Sequence, residues 1–141
     1  MKNYVLDANA LYRFLLPGSG AEVVSSLFKE ARDAQQPLRM SVINWGEVYY
    51  TIAKVRGFGE AESTMARVRL LPLAILDVDE ATTVRASRLK AAHGLPYADC
   101  FAAACVGKGE VLVTADTKDF KKIPGLQMLA LPPHRGPASR L

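Results

Sequence analysis

The chain has 141 residues, half of them apolar and 23% charged, the composition of one domain able to bury roughly two thirds of its unfolded surface. That excludes a wholly disordered chain, a collagen-like repeat and a disulfide scaffold, and no apolar run approaches the roughly 20 residues needed to cross a bilayer. The net charge of +4, from 18 basic and 14 acidic side chains, admits a polyanionic partner without specifying one.

The opening Met1-Lys2-Asn3-Tyr4-Val5-Leu6-Asp7 carries charge within its first apolar stretch and lacks the secretory core of about 7–15 apolar residues, so a cytoplasmic protein is expected. Residues 3–7 read as a short buried strand ending in an acid. Asn9 to Leu16 reads as a helix, stopped by Pro17-Gly18. Val23, Val24, Leu27, Phe28 and Ala31 carry a helical repeat over Ala21 to Ala34. A second strand is expected over Leu38 to Ile43, then a helix from Trp45 to Val55. Gly57 and Gly59 break it before a further helix to about Leu70. Pro72 introduces a third strand, Leu73 to Val78. Asp79 is placed to cap a helix reaching His93-Gly94, and Pro96 suits the first turn of the next, apolar through Val106. Glu110 to Ala115 is a fourth strand, a helical turn follows around Lys118 to Lys121, and Gln127 to Leu131 is a fifth. Residues 1–131 are read as one domain, and the proline-rich 132–141 as a flexible tail. Strands alternating with helices imply the doubly wound α/β class, a parallel sheet with helices on both faces.

The usual α/β signatures are missing. No Gly-x-Gly-x-x-Gly follows the first strand, and there is neither a Walker lysine motif nor a Gly-x-Ser-x-Gly elbow. Asp7 has no adjacent acid, as a phosphoacceptor domain would need, and Asp7-Ala8-Asn9 is not the Asp-x-Asp of an aspartyl phosphatase. Cys100 and Cys105 lie too far apart along one helix for a disulfide and read as small buried hydrophobes. His93 reads as a helix-end residue and His134 falls in the tail.

The acids are more informative. Asp99 is the only charged residue between Leu95 and Val106, in a helix whose composition asks for burial. Asp7 and Asp116 follow the first and fourth strands, where open α/β sheets bind ligands, and Glu47 falls in the first turn after the second. Two carboxylates about 6 Å apart repel by about 3 kcal/mol at an effective dielectric of 20. A divalent cation removes that conflict, and an all-carboxylate set selects a hard ion such as Mg²⁺ or Mn²⁺.

Four segments now resemble the PIN-domain nucleases, and among them the toxins of VapBC toxin–antitoxin pairs: Val5 to Leu11, Ser41 to Val48, Leu95 to Ala104 and Leu112 to Phe120. The resemblance covers residues 3 to 131. It implies a five-stranded parallel sheet in the order 3-2-1-4-5, with Asp7, Glu47, Asp99 and Asp116 binding Mg²⁺ or Mn²⁺. It further implies that Thr114 supports the last acid and that Asn9 is a small polar residue beside the first, while Asp119 either joins the acids or caps a short helix. Ala8 stands where a hydroxyl residue is often found. The implied reaction is metal-dependent cleavage of single-stranded or structured RNA, with Arg13, Lys54, Arg56, Lys90 and Lys118 available to the phosphate backbone. The implied partners are a small VapB-like antitoxin, seated in a groove near Leu11, Tyr12, Phe14, Leu15, Tyr49, Tyr50 and Met65, and a second copy in a two-fold dimer. A catalytically silent PIN scaffold, or an RNA-binding or processing protein that is no toxin, is the alternative.

Overall fold

The computed structural model describes residues 1–16 and 18–132. Its elements, in chain order, are β1 (Tyr4–Leu6), α1 (Ala8–Leu15), α2 (Ala21–Ala34), β2 (Leu38–Ser41), α3 (Val42–Arg56) and α4 (Phe58–Val68), followed by β3 (Leu73–Leu76), α5 (Glu80–His93), α6 (Tyr97–Ala104), β4 (Val111–Thr114), α7 (Thr117–Phe120) and β5 (Met128–Ala130). The five strands pair in parallel in the order β3-β2-β1-β4-β5, as expected. His134 and the tail beyond Pro132 lie outside the described residues.

Strand alternation divides the core. Leu6, Leu38, Met40 and Val113 join the cluster formed with α1 to α4, whereas Val5 and Leu112 join that of α5, α6 and Phe120. Successive side chains of a strand point to opposite faces, so short apolar strands bury both. Chain order reverses at the β1–β4 pair, where Leu6 lies level with Val113. This opens a crevice beyond the carboxyl ends of the two central strands.

The differences from the sequence reading lie at element ends. β2 stops at Ser41, whose hydroxyl accepts from the Ile43 N–H at 3.1 Å and caps α3. Val42 and Ile43, expected in the strand for their β-branched side chains, open the helix instead, because the cap outweighs a weak propensity. Glu47 therefore lies in the second turn of α3, not the first. Pro96 is the cap of α6 rather than a residue of its first turn, and α6 ends at Ala104. Cys100 is buried as expected, but Cys105 is half-buried. Asp79 does cap α5, accepting from the Thr82 N–H at 2.8 Å.

The end of β5 is held from two sides. The Arg13 guanidinium donates to the Ser19 carbonyl at 2.8 Å and to the Pro132 carbonyl. Gly20, at φ +92°, lets Leu131 and Pro132 approach so closely that a Cβ there would meet them at 3.2 and 3.1 Å.

A candidate acid cleft at the strand ends

Asp7 follows β1 directly and caps α1, its Oδ1 accepting from the Ala10 N–H at 2.8 Å. Its second oxygen accepts from the fully buried Thr114 hydroxyl at 2.5 Å. The same hydroxyl oxygen accepts from the Asp116 N–H at 2.9 Å. One side chain of β4 thus sets the first acid by its carboxylate and the last by its backbone. Asp116 in turn caps α7. That helix has one turn and one buried side chain, Phe120, which is wholly buried and anchors the segment carrying Asp116 and Asp119.

Glu47 is positioned by a residue the sequence reading passed over. Asn44, completely buried, donates through Nδ2 to Glu47 Oε1 at 2.9 Å and to the Ala98 carbonyl at 3.1 Å. It ties α3 to the turn before Asp99. The available signal was an amide three residues past the Ser41 cap, in a stretch otherwise apolar.

These elements enclose a cleft of about 460 Å³ lined by Asp7, Asn9, Tyr12, Glu47, Asp99 and Asp116, with Ala8, Arg13, Thr51 and Ala115 completing its walls. Carboxylate oxygens of Asp99, Asp116 and Asp119 lie within 4.8 Å of one another. Asp119, either a further acid or a cap in the sequence reading, therefore clusters with Asp99 and Asp116, which line the cleft together with Asp7 and Glu47. Among the described residues the ion pairs are Arg39–Glu110 at 2.5 Å and Lys122–Asp119 at 3.6 Å, so no base makes a contact pair with Asp7, Glu47, Asp99 or Asp116, although Arg13 lies near Asp7 and Lys118 near Asp116. Burial, followed by the charges of Asp7, Asp116, Glu47 and Asp119, raises Asp99 to about 7. Burial raises Asp7 to about 6, with the charges of Glu47 and Asp116 adding to it, although the Thr114 and Ala10 hydrogen bonds pull the other way. Burial also pushes Asp116 up. Crowded, unpaired carboxylates around an open cleft are a donor set suited to a hard divalent cation.

The basic residues named from the sequence are dispersed. Arg13 lines the cleft but is 5% exposed, with Nη1 spent on the Ser19 and Pro132 carbonyls. Lys54, Lys90 and Lys118 are exposed, Lys118 on α7 beside the acids. Arg56 lines a separate groove of about 330 Å³ between α1, α3 and α4, with Phe14, Leu15, Val68 and Leu71. Leu11, Tyr12 and Met65, named for an antitoxin groove, are core residues. Among the described residues no helix is long and apolar enough to cross a membrane.

A doubly wound sheet with an acid cleft at its switch point defines the class: an α/β protein whose carboxylates converge beside its central strands. A profile of the PIN domain matches residues 4–126, and the chain belongs to the PIN domain family. Solved structures share the fold. VapBC2 from Rickettsia felis, crystallised with a DNA fragment from its promoter, is 20% identical, with 92% of this chain and 98% of that one covered at a TM-score of 0.72. DNA-bound VapBC from Salmonella typhimurium is 22% identical at the same coverage and TM-score. The Mycobacterium tuberculosis toxin VapC20, which cleaves the sarcin-ricin loop, is 14% identical, with 78% and 87% covered at a TM-score of 0.60. No curated protein sequence matches the chain significantly.

Proposed function

We propose that this protein is a divalent-metal-dependent endoribonuclease that acts as the toxin of a type II toxin–antitoxin pair. The observation that carries the nuclease reading is the cleft of unpaired acids at the β1–β4 switch point. Asp7, Glu47, Asp99 and Asp116 hold Mg²⁺ or Mn²⁺, with Asp119 close enough to share the load. A bound ion supplies charge neutralisation at the phosphodiester and a water acidic enough to attack it. The chain's own residues do the rest. Thr114 fixes the Asp7 carboxylate and the Asp116 backbone, Asn44 fixes Glu47, and the exposed Lys118, two residues from Asp116, is available to a phosphate backbone. The toxin reading is supported by the fold shared with VapBC complexes from two organisms and with a toxin that cleaves the sarcin-ricin loop. The groove between α1, α3 and α4, where Phe14, Leu15, Ile52, Val68 and Leu71 meet Arg56, Glu60 and Arg67, is the seat we assign to a VapB-like antitoxin segment. A two-fold dimer is the assembly this reading carries.

The test is cleavage of a single-stranded RNA by purified protein with Mg²⁺, with EDTA, and with Asp99→Asn. Cleavage only by the wild type with metal supports the proposal. Metal-independent cleavage, or an Asp99→Asn protein as active as wild type, refutes the role given to the acids.

A further inference from the structure

Resting on the nuclease reading, we infer that the Tyr12 hydroxyl is a substrate contact, donating a hydrogen bond to a non-bridging oxygen of the scissile phosphate. An acid cleft that must admit a polyanion needs neutral or cationic donors in its walls, since RNA brings acceptors where the protein already has carboxylates. The walls offer few. Among the described residues the one cationic side chain lining the cleft, Arg13, has Nη1 committed to two backbone carbonyls, and its buried Nε lacks a partner. Thr51, also in the wall, gives its hydroxyl hydrogen to the Glu47 carbonyl at 2.7 Å. Tyr12 is different. Its residue is 9% exposed, its hydroxyl is buried, and that oxygen has no hydrogen-bond partner. Thr51 acts on the phenol as a weak side-chain hydrogen-bond partner, opposing the larger effect of burial, without meeting the geometry of a full hydrogen bond.

A buried hydroxyl left unpaired costs about 1–3 kcal/mol, and native interiors rarely tolerate it without a use. The ring's packing does not need the oxygen, because a phenylalanine would fill the same space. One turn earlier on α1, the buried Asn9 Oδ1 also lacks a partner and lines the same cleft. With Arg13 Nε, that makes three orphaned polar atoms on one helix, and they mark this wall as unfinished until something polar enters. A phosphate drawn to the acids' metal accepts from a hydroxyl, and the phenol keeps its proton throughout. Because charge on the non-bridging oxygens grows as water attacks, such a donor acts on the chemical step more than on binding.

The experiment compares wild type with Tyr12→Phe on a fluorogenic single-stranded RNA at saturating Mg²⁺. The expected result is a kcat at least tenfold lower with KM changed less than threefold. In the same variant the unfolding temperature should be no lower than wild type, and its rise on adding Mg²⁺ should be the same, since the fold and the acids are untouched. A variant that cuts at the wild-type rate overturns the inference and leaves the nuclease reading standing. A variant that melts several degrees lower, or loses the Mg²⁺ response, also overturns it, by showing that the hydroxyl serves the fold or the acids. If the wild type cuts no RNA, the nuclease reading fails and this inference falls with it.

Discussion

At the scale of single residues, the cleft works against the fold that carries it. An unfolded aspartate titrates near 3.9, whereas Asp7 and Asp99 are raised, first by burial, to about 6 and about 7. Between those limits the native state holds protons the unfolded chain has released, so metal-free stability falls as pH rises through the window. For Asp7 the full loss is about 3 kcal/mol. Unfolding followed in EDTA should give a higher Tm at pH 5 than at pH 8, and Mg²⁺ should raise Tm more at pH 8, where the ligands are already deprotonated. A metal-free protein that grows more stable toward pH 8 contradicts this. Asp99→Asn removes one charge from the cluster and should leave the metal-free protein as stable or more so, by about 1–3 kcal/mol, while reducing its response to Mg²⁺. Thr114→Val tests the opposite effect. It removes a hydrogen bond that holds Asp7 down and the acceptor for the Asp116 N–H, and should cost about 1–3 kcal/mol. Metal binding, read by titration calorimetry, should then require a higher pH. Unchanged stability together with unchanged pH dependence would remove Thr114 from the network.

Elements, rather than residues, bring the acids together, and this is where sequence reading succeeded unevenly. The sheet order and the four cleft-lining acids were legible, the order through the family resemblance and the acids through the lone charge of Asp99 in an apolar helix and the shared strand-end placement of the rest, although Asp7 and Asp116 also cap the helices that follow them. The start of α3 was not legible, because Val42 and Ile43 favour strand locally and only the Ser41 cap decides against it. Asn44 escaped notice for a related reason: its partners, Glu47 and the Ala98 carbonyl, meet only once α3 and α6 pack together. Asp119 was ambiguous because capping a turn and joining a cluster of acids ask for the same residue type. The one-turn helix α7 depends on Phe120, its sole buried side chain. Phe120→Ala should cost about 3–5 kcal/mol and, since the loosened segment carries Asp116 and Asp119, weaken Mg²⁺ binding beyond the loss of stability. Differential scanning fluorimetry across an Mg²⁺ series separates the two effects, and an unaltered Mg²⁺ midpoint would show that α7 is held by other means.

At the scale of the whole molecule, the acid cleft and the groove between α1, α3 and α4 share the helix α1 but are lined by different residues, so inhibition and catalysis can be separated. Expression alone should slow growth, and co-expression of a small protein encoded beside it should relieve this. Leu71→Glu places a charge in the groove, far in sequence from the acids. It should preserve RNA cleavage by the purified protein yet abolish relief by the partner. Growth that the partner still rescues would move its seat elsewhere.

The clamp on the end of β5 has a practical side. Arg13 lines the acid cleft and at the same time grips the Pro132 carbonyl, while Gly20 leaves room for Leu131 and Pro132. Whatever pulls on the polypeptide just beyond residue 132 therefore pulls on a wall of the cleft. On the nuclease reading, an affinity handle fused directly after Pro132 would load this latch and act as an unintended brake on turnover.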